Sequence, residues 1–204
     1  MEKYQDYAIK DGKLVGKFEE MYQKFDNPWH QASNPDDVNA HTINFTLQNI
    51  RRFNIKSIVE FGCGLGYVTN AINKMGTRVK GIDISSTAIT KAKKLWPNLD
   101  FEVDNIKNIK KYTNYDAVLF AHITWFILDD IDRIFDDMLQ YFNGRYFLHN
   151  VVFYKGQQQY GTKFFTNLKE FIDYVPFQLI GYSEATTMLD DAISTSTIFK
   201  IVKK

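Results

Sequence analysis

Apolar positions repeat with two periods along this chain. From Lys56 onward, short apolar runs that suit strands alternate with stretches in which apolar residues recur every three or four positions, as one face of a helix requires. Ser57–Phe61 (SIVEF) reads as the first strand, and Val68, Ala71, Ile72 and Met75 as the face of the helix after it. Arg78–Asp83 is the second strand. The next helix, capped by Ser85 or Ser86, carries Ala88, Ala92, Leu95 and Trp96 on one side and ends at Pro97. Residues 101–103 and 115–121 give two more strands. A strongly periodic helix then runs through Ile127, Ile131, Ile134, Phe135, Met138, Leu139 and Phe142, closed by Gly144, and residues 145–153 form a fifth strand.

Residues 155–165 (KGQQQYGTKFF) read as a loop, after which Thr166 caps a helix bearing Leu168, Phe171 and Ile172. Two strands, 177–185 and 193–202, finish the chain. The gap between them is too short for a parallel crossover, so they pair antiparallel. Before the first strand the pattern predicts two helices. One carries Leu14, Phe18, Met21, Tyr22 and Phe25 and stops at Asn27-Pro28. The other starts with Asn34 as cap, Pro35, Asp36 and Asp37, and carries Ala40, Ile43, Leu47 and Ile50. The whole predicts one domain over residues 1–204: a helical cap (1–53) on a doubly wound α/β core (54–204), its seven-stranded sheet mostly parallel with an antiparallel C-terminal hairpin.

Composition narrows the function. With 45% hydrophobic and 16% aromatic residues in 204, the chain is not a disordered one. A net charge of +1, with 20 lysines and five arginines, advertises no polynucleotide partner. One cysteine, Cys63, excludes an internal disulfide and an all-cysteine zinc site. The polar start (MEKYQDYAIKDGK) is unlike a signal peptide, and no apolar run reaches the roughly 18 residues a membrane helix needs, so a cytoplasmic chain without membrane contact is expected. The aromatic content serves either the core or a dimer face, leaving monomer and homodimer both open.

The chemistry concentrates where the first strand meets its helix, in Glu60-Phe61-Gly62-Cys63-Gly64-Leu65-Gly66. Glycines let a backbone turn tightly under a ligand, and the helix start that follows favours an anionic group. The dinucleotide fingerprint G-x-G-x-x-G wants its third glycine at position 67, which is Tyr67. The acid followed by G-x-G-x-G instead resembles the first motif of class I S-adenosylmethionine-dependent methyltransferases, a family with a Rossmann-like sheet. Further segments between Lys56 and Asn143 are similar to that family's later motifs. The resemblance implies that Asp83, 21 residues after Gly62, holds the donor's ribose with Ile84 beside it. It implies that Asp104 bonds the adenine amino group next to Asn105 and Ile106, and that Phe120, Ala121 and His122 lie at the sulfonium end. Residues 21–29 (MYQKFDNPW) look like the segment that covers the donor in methyltransferases of the nodulation-factor type, which would bring Tyr22 or Trp29 onto S-adenosylmethionine.

The expected reaction is methyl transfer from S-adenosylmethionine to an O or N atom of a small polar metabolite, such as a sugar or a surface-polysaccharide precursor. S-adenosylhomocysteine is the product, and His122 or His149 is the base if the acceptor is a hydroxyl. A non-catalytic binding module and an NAD(P)-dependent oxidoreductase are the alternatives. No histidine pair has metal-ligand spacing, and Asp129, Asp130, Asp132, Asp136 and Asp137 read as a solvated helix face, so no metal is expected. Cys63 reads as a small residue the loop tolerates, His30 and His41 as surface or helix residues, and Gln157–Gln159 as either a mobile loop or part of a substrate lid.

Overall fold

The computed structural model describes residues 2–30, 38–156, 158–186 and 191–204. The helices are α1 (Gln5–Ala8), α2 (Phe18–Lys24), α3 (Val38–Arg52), α4 (Tyr67–Asn73), α5 (Ser86–Leu95), α6 (Ile131–Tyr141) and α7 (Leu168–Tyr174). The strands are β1 (Ile9–Lys10), β2 (Lys13–Leu14), β3 (Ser57–Phe61), β4 (Arg78–Asp83), β5 (Asp100–Val103), β6 (Ala117–Ala121), β7 (Tyr146–Tyr154), β8 (Phe177–Ala185) and β9 (Ala192–Lys203). A 3-10 stretch, Ile106–Tyr112, joins β5 to β6, and two 3-10 turns, Thr124–Phe126 and Leu128–Asp130, join β6 to α6.

β1 and β2 form a small hairpin, and the other seven strands form one sheet in the order β5-β4-β3-β6-β7-β9-β8. All its pairings are parallel except those of β9, which runs antiparallel to both β7 and β8. Chain order reverses beside β3, between β4 and β6. A crevice at the carboxyl ends of these strands is where an open α/β sheet takes its ligand.

Alternation along the strands divides the core in two. Val59, Phe61, Val118, Phe120, Phe147 and Val151 face α6 and α7, meeting Ile131, Ile134, Phe135, Met138 and Phe171. Ile58, Leu119, Leu148 and Ile198 face the other way, toward Ile50 of α3 and Ile72 of α4. All five residues of β3 are buried, as a central parallel strand covered on both faces demands.

The N-terminal region departs from the expected single helix over Leu14–Phe25. Asp11 and Gly12 both take positive φ (50° and 68°) and turn the chain into the β1–β2 hairpin, so Leu14 lies in a strand and α2 begins only at Phe18. Asp-Gly is the dipeptide such a two-residue turn prefers. α7 is capped by Asn167, not Thr166: the Asn167 side chain accepts from Glu170 N–H, while Thr166 N–H and hydroxyl donate to the Glu170 carboxylate. Ser85 caps α5, accepting from Ala88 N–H at 3.0 Å. The proposed cap of α3, Asn34 to Asp37, lies outside the described residues.

Candidate functional site

The loop after β3 is built on left-handed backbone. Gly62, Gly64 and Gly66 have φ of 72°, 54° and 77°. At Gly62 a Cβ would overlap the Ile123 side chain; at Gly66 it would overlap the Phe101 ring and come within 3.2 Å of Trp96 Cδ1. Cys63 N–H donates to Ile82 O at 2.9 Å and Gly66 N–H to Cys63 O at 2.9 Å, fixing the loop to β4. Gly62 and Gly66 are therefore required twice, by conformation and by close approach, and Gly64 by conformation.

Asp83 ends β4 against this loop. Gly64 N–H donates to its Oδ2 and Ser85 N–H to its Oδ1, each at 2.9 Å. The residue is 7% exposed; burial raises its pKa, against the pull of the Ser85, Gly64 and Ile84 amides. A carboxylate offers about four lone-pair sites, more than these amides fill, which leaves room for a hydroxyl donor. Ile84 beside it is 57% exposed, an uncovered apolar side chain at the crevice. This corner fits the ribose of S-adenosylmethionine.

Glu60 does not reach the crevice. It is 1% exposed and accepts from Thr69 Oγ1 at 2.5 Å, linking β3 to α4. Burial lifts its pKa to about 8 against the Thr69 bond, with Asp83 adding to the rise. Between the unfolded value of 4.5 and about 8 the folded chain holds a proton that the unfolded chain has lost. This contribution to stability is complete below 4.5 and is lost as pH climbs through 8. Each pKa unit corresponds to about 1.4 kcal/mol. The protein is thus expected to unfold at lower urea at pH 9 than at pH 5.5. Glu60→Gln should flatten that slope; an unchanged slope would assign it to other groups.

The N-terminal segment packs directly over this corner. Tyr22 is 3% exposed, and burial, with Asp83 and Cys63 nearby, pushes its phenol well above its usual pKa, opposed by a hydrogen bond with Trp29. Tyr22 shares an apolar cluster with Tyr7, Met21, Leu65 of the glycine loop and Ala88 of α5; Trp29 packs at its edge. Two charged side chains pin the segment. The Glu19 carboxylate accepts from Ser85 Oγ (2.7 Å), Ser86 Oγ (3.1 Å), Thr87 Oγ1 (2.6 Å) and Thr87 N–H (3.2 Å). The Thr87 hydroxyl bond leads in holding its pKa down at about 2, at the positive end of α5. Lys91 Nζ donates to the Tyr22 and Phe25 carbonyls at 2.8 and 2.9 Å, closing the last turn of α2. No motif in the sequence marks Glu19 or Lys91, because their partners lie more than 60 residues away.

Other expected site residues divide. Asp104 lies near Asp83, its N–H donating to Asp83 O at 3.1 Å. Its own carboxylate is already engaged: Oδ1 accepts from Asn105 N–H and Asn108 Nδ2, Oδ2 from Lys111 Nζ and Tyr112 OH. Burial opposes its charge, but these bonds outweigh it and hold the pKa at about 2. An adenine amino group would have to displace one of these donors. The Asn105 side chain is occupied in capping the 3-10 stretch through Lys107 N–H, and Ile106 packs against the core. Phe120 is core, not crevice: 1% exposed, with its ring centroid 4.9 Å from that of Phe147. The alternation of β6 turns it inward.

His122 takes φ of 63° directly after β6, half-buried, and donates its N–H to Asn150 O at 2.9 Å. Positive φ in a residue other than glycine is uncommon and costs strain. His149 lies inside the core. It is 1% exposed and stacks on Phe171 at 4.1 Å, its Nε2 is 2.5 Å from Thr124 Oγ1, and burial, then His122, depresses its pKa well below the usual value. In this position it meets protein on every side named and supports the β6–α6 turn; the base role expected of it is withdrawn. That turn joins the whole site. Ile123 fills the space left by Gly62, Trp125 Nε1 donates to Val152 O, and Phe126 packs on Phe18 and Trp29 of the N-terminal segment.

Cys63 is buried, and burial raises its thiol pKa further from reactivity. Asp130 pairs with Lys107 and Arg133, and Asp137 with Arg133. Among the described residues no three His, Cys, Asp or Glu side chains converge as metal ligands, and no helix is long and apolar enough to cross a membrane.

Comparison with known proteins matches this geometry to one family. Residues 58–143 fit the family described as a methyltransferase domain. The methyltransferase-named protein 235L of Invertebrate iridescent virus 6 is 33% identical over 99 residues, covering 47% of this chain and 37% of that protein. A ubiquinone biosynthesis O-methyltransferase of Pasteurella multocida is 26% identical over 113 residues, covering 54% and 46%. The chain thus spans less than half the length of these curated relatives. In fold it resembles the N-methyltransferase NodS of Bradyrhizobium japonicum, crystallised with S-adenosylhomocysteine, with a TM-score of 0.64 at 14% identity over 89% of this chain and 97% of that one. The acid and three glycines after β3, the carboxylate ending β4 and the strand order thus go with a match of residues 58–143 to the methyltransferase domain family.

Proposed function

We propose that this protein transfers a methyl group from S-adenosylmethionine to an oxygen or nitrogen atom of a small polar metabolite in the cytoplasm, a sugar or surface-polysaccharide precursor being the leading class. The observation that carries the reading is the bond from Gly64 N–H to Asp83 Oδ2, which ties the glycine loop to the ribose-holding acid. Against NAD(P) speaks Tyr67, which stands where the dinucleotide fingerprint needs glycine and packs edge-on against Trp96 at 5.5 Å.

When bound, the donor supplies a methyl group already activated by its sulfonium charge. The chain then has to bind, orient and exclude water. Asp83 holds the ribose, the glycine loop receives the backbone-facing side of the donor, and Tyr22 and Trp29 cover it from the N-terminal segment. Orientation alone can supply roughly 7–11 kcal/mol of a displacement barrier. For a hydroxyl acceptor, His122 at the end of β6 is the proposed base, adding typically 10²–10⁴-fold. A net charge of +1 supports a small molecule over a polynucleotide as acceptor.

Calorimetric titration tests the reading. Micromolar binding of S-adenosylhomocysteine with no heat from NAD is expected. A preference for NAD, or silence with both, would overturn it.

A further inference from the structure

α3 ends beside β8, the edge strand of the sheet, and a groove of about 590 Å³ opens between them. That volume is within the roughly 300–1,000 Å³ of small-molecule sites. From α3 the groove is lined by Phe45 and Phe53, both half-buried. From β8 it is lined by Ile180 and Tyr182, which are 38% and 58% exposed. Gly181 lies between them, just past a register shift of β8 against β9. A Cβ on Gly181 would meet a single atom within 4 Å, Ile198 Cγ2 at 3.8 Å, so the missing side chain leaves open space. The groove is remote from the donor corner. The Phe53 ring centroid is 5.5 Å from that of Tyr146, the first residue of β7, whereas the donor corner lies at the carboxyl ends of the strands.

Two adjacent arginines, Arg51 and Arg52, line the same groove, and both are exposed. The chain has five arginines against 20 lysines. The other three are engaged with protein oxygens: Arg78 with Asn114 O, Arg133 with Asp130 and Asp137, and Arg145 with the Thr113 and Tyr115 carbonyls. Among the described residues Arg51 and Arg52 have no oxygen partner; Arg52 Cζ lies 5.5 Å from the Phe53 ring centroid. The negative end of a helix favours any cation, and elsewhere this chain puts lysine there: Lys24 in α2, Lys93 and Lys94 in α5, Lys110 and Lys111 in the 3-10 stretch. Only α3 carries arginines in its last turn among these basic helix ends. Helix-end electrostatics therefore leaves the choice of arginine unexplained. A guanidinium differs from an ammonium in its planar fork, which grips phosphate oxygens two at a time and stacks on aromatic faces.

We propose that this groove is a second binding site, which takes a nucleoside diphosphate. The base lies against Phe45, Phe53 and Tyr182, and Arg51 and Arg52 hold the diphosphate. A polynucleotide is disfavoured by the net charge of +1. A peptide added as a further strand is disfavoured by the register shift between Leu179 and Gly181, which interrupts the β8 edge where pairing would run. The inference goes beyond methyl transfer and does not depend on it.

The test is calorimetric titration of the protein saturated with S-adenosylhomocysteine, so that the donor corner is filled. The probes are UDP and ADP, with uridine, inorganic phosphate and hexaglutamate as controls. Both diphosphates are expected to bind with submillimolar dissociation constants, and uridine and phosphate at least tenfold more weakly. Arg51→Gln combined with Arg52→Gln should weaken UDP binding at least tenfold. Gly181→Val should weaken it at least fivefold by filling the groove; Gly181 has no positive φ, so valine adds no backbone strain there. S-adenosylhomocysteine affinity should stay within twofold in both variants. Where the valine variant loses its fold, the arginine variant decides alone. Silence with both diphosphates, equal affinity for UDP and phosphate or uridine, a preference for hexaglutamate, or UDP binding unchanged in the folded variants would overturn the proposal. A wild-type protein that fails to bind S-adenosylhomocysteine would remove the methyltransferase reading and leave the UDP titrations to decide the groove.

Discussion

Asp83→Ala is expected to weaken S-adenosylhomocysteine binding at least 100-fold, about 2.7 kcal/mol. The proposed charge-assisted hydrogen bonding to the ribose is lost, each such bond being worth about 1.5–3 kcal/mol. The Gly64 and Ser85 amides that now donate to Asp83 lose their acceptor as well, so the loop loses its tie to β4. Asp83→Asn separates the two effects. It keeps one carbonyl oxygen for an amide but turns the other position into a donor, so the loop is partly held while ribose recognition fails. Thermal denaturation supplies an independent reading, since a ligand at 100 times its dissociation constant stabilises the folded state by about 2.7 kcal/mol. That shift should be present in the wild-type protein and absent in both variants. A variant that binds within tenfold of wild type would show that the donor's ribose lies elsewhere.

Most of what positions this corner was legible before any coordinates. Apolar runs of five or six residues followed by amphipathic stretches are local signals, and β3, β4, α5 and the C-terminal hairpin fall where those signals put them. The glycine loop and Asp83 were legible because backbone conformation and hydrogen bonding within one β-α-β unit restrict residue type strongly. Three things were not. The β1–β2 hairpin was hidden because helical spacing from Leu14 to Phe25 outweighed the Asp11-Gly12 turn signal beside it. The roles of Phe120 and His149 depend on which way a strand residue points, and a stretch of nearly unbroken apolar residues gives no alternation to read. The resemblance gives the Asp104 carboxylate to an adenine amino group, whereas Asn108, Lys111 and Tyr112 come back to it from a 3-10 stretch whose period no apolar pattern announces.

Glu19 and Lys91 carry that limit further. Each satisfies the end of a helix that is distant in sequence, so the N-terminal segment is held over the glycine loop and α5 by helix-end electrostatics as well as by apolar burial. Both side chains would pass for ordinary surface charges in any one-dimensional reading.

Gly62→Ala is expected to be the most damaging single methyl group in the protein, lowering stability by about 2–5 kcal/mol and weakening donor binding with it. Two costs add. A left-handed φ of 72° costs a residue with a Cβ about 1–2 kcal/mol. The new Cβ also overlaps the Ile123 side chain, with Ile123 Cβ only 3.2 Å away, and overpacking of this kind costs about 1–3 kcal/mol. The two can be separated. Ile123→Ala in the Gly62→Ala background removes the overlap but leaves the φ strain, so the double variant should recover stability relative to the sum of the single changes. A coupling of about 1–3 kcal/mol is expected from urea denaturation of all four proteins. Additive effects would mean that the loop avoids Ile123 by moving, and that conformation alone demands glycine at this position. The coupling matters for function because Ile123 adjoins His122 on one side and Thr124, held by His149, on the other. A displaced Ile123 would carry the proposed base away from the donor, so Gly62→Ala should lower turnover even where enough folded protein remains to bind S-adenosylhomocysteine.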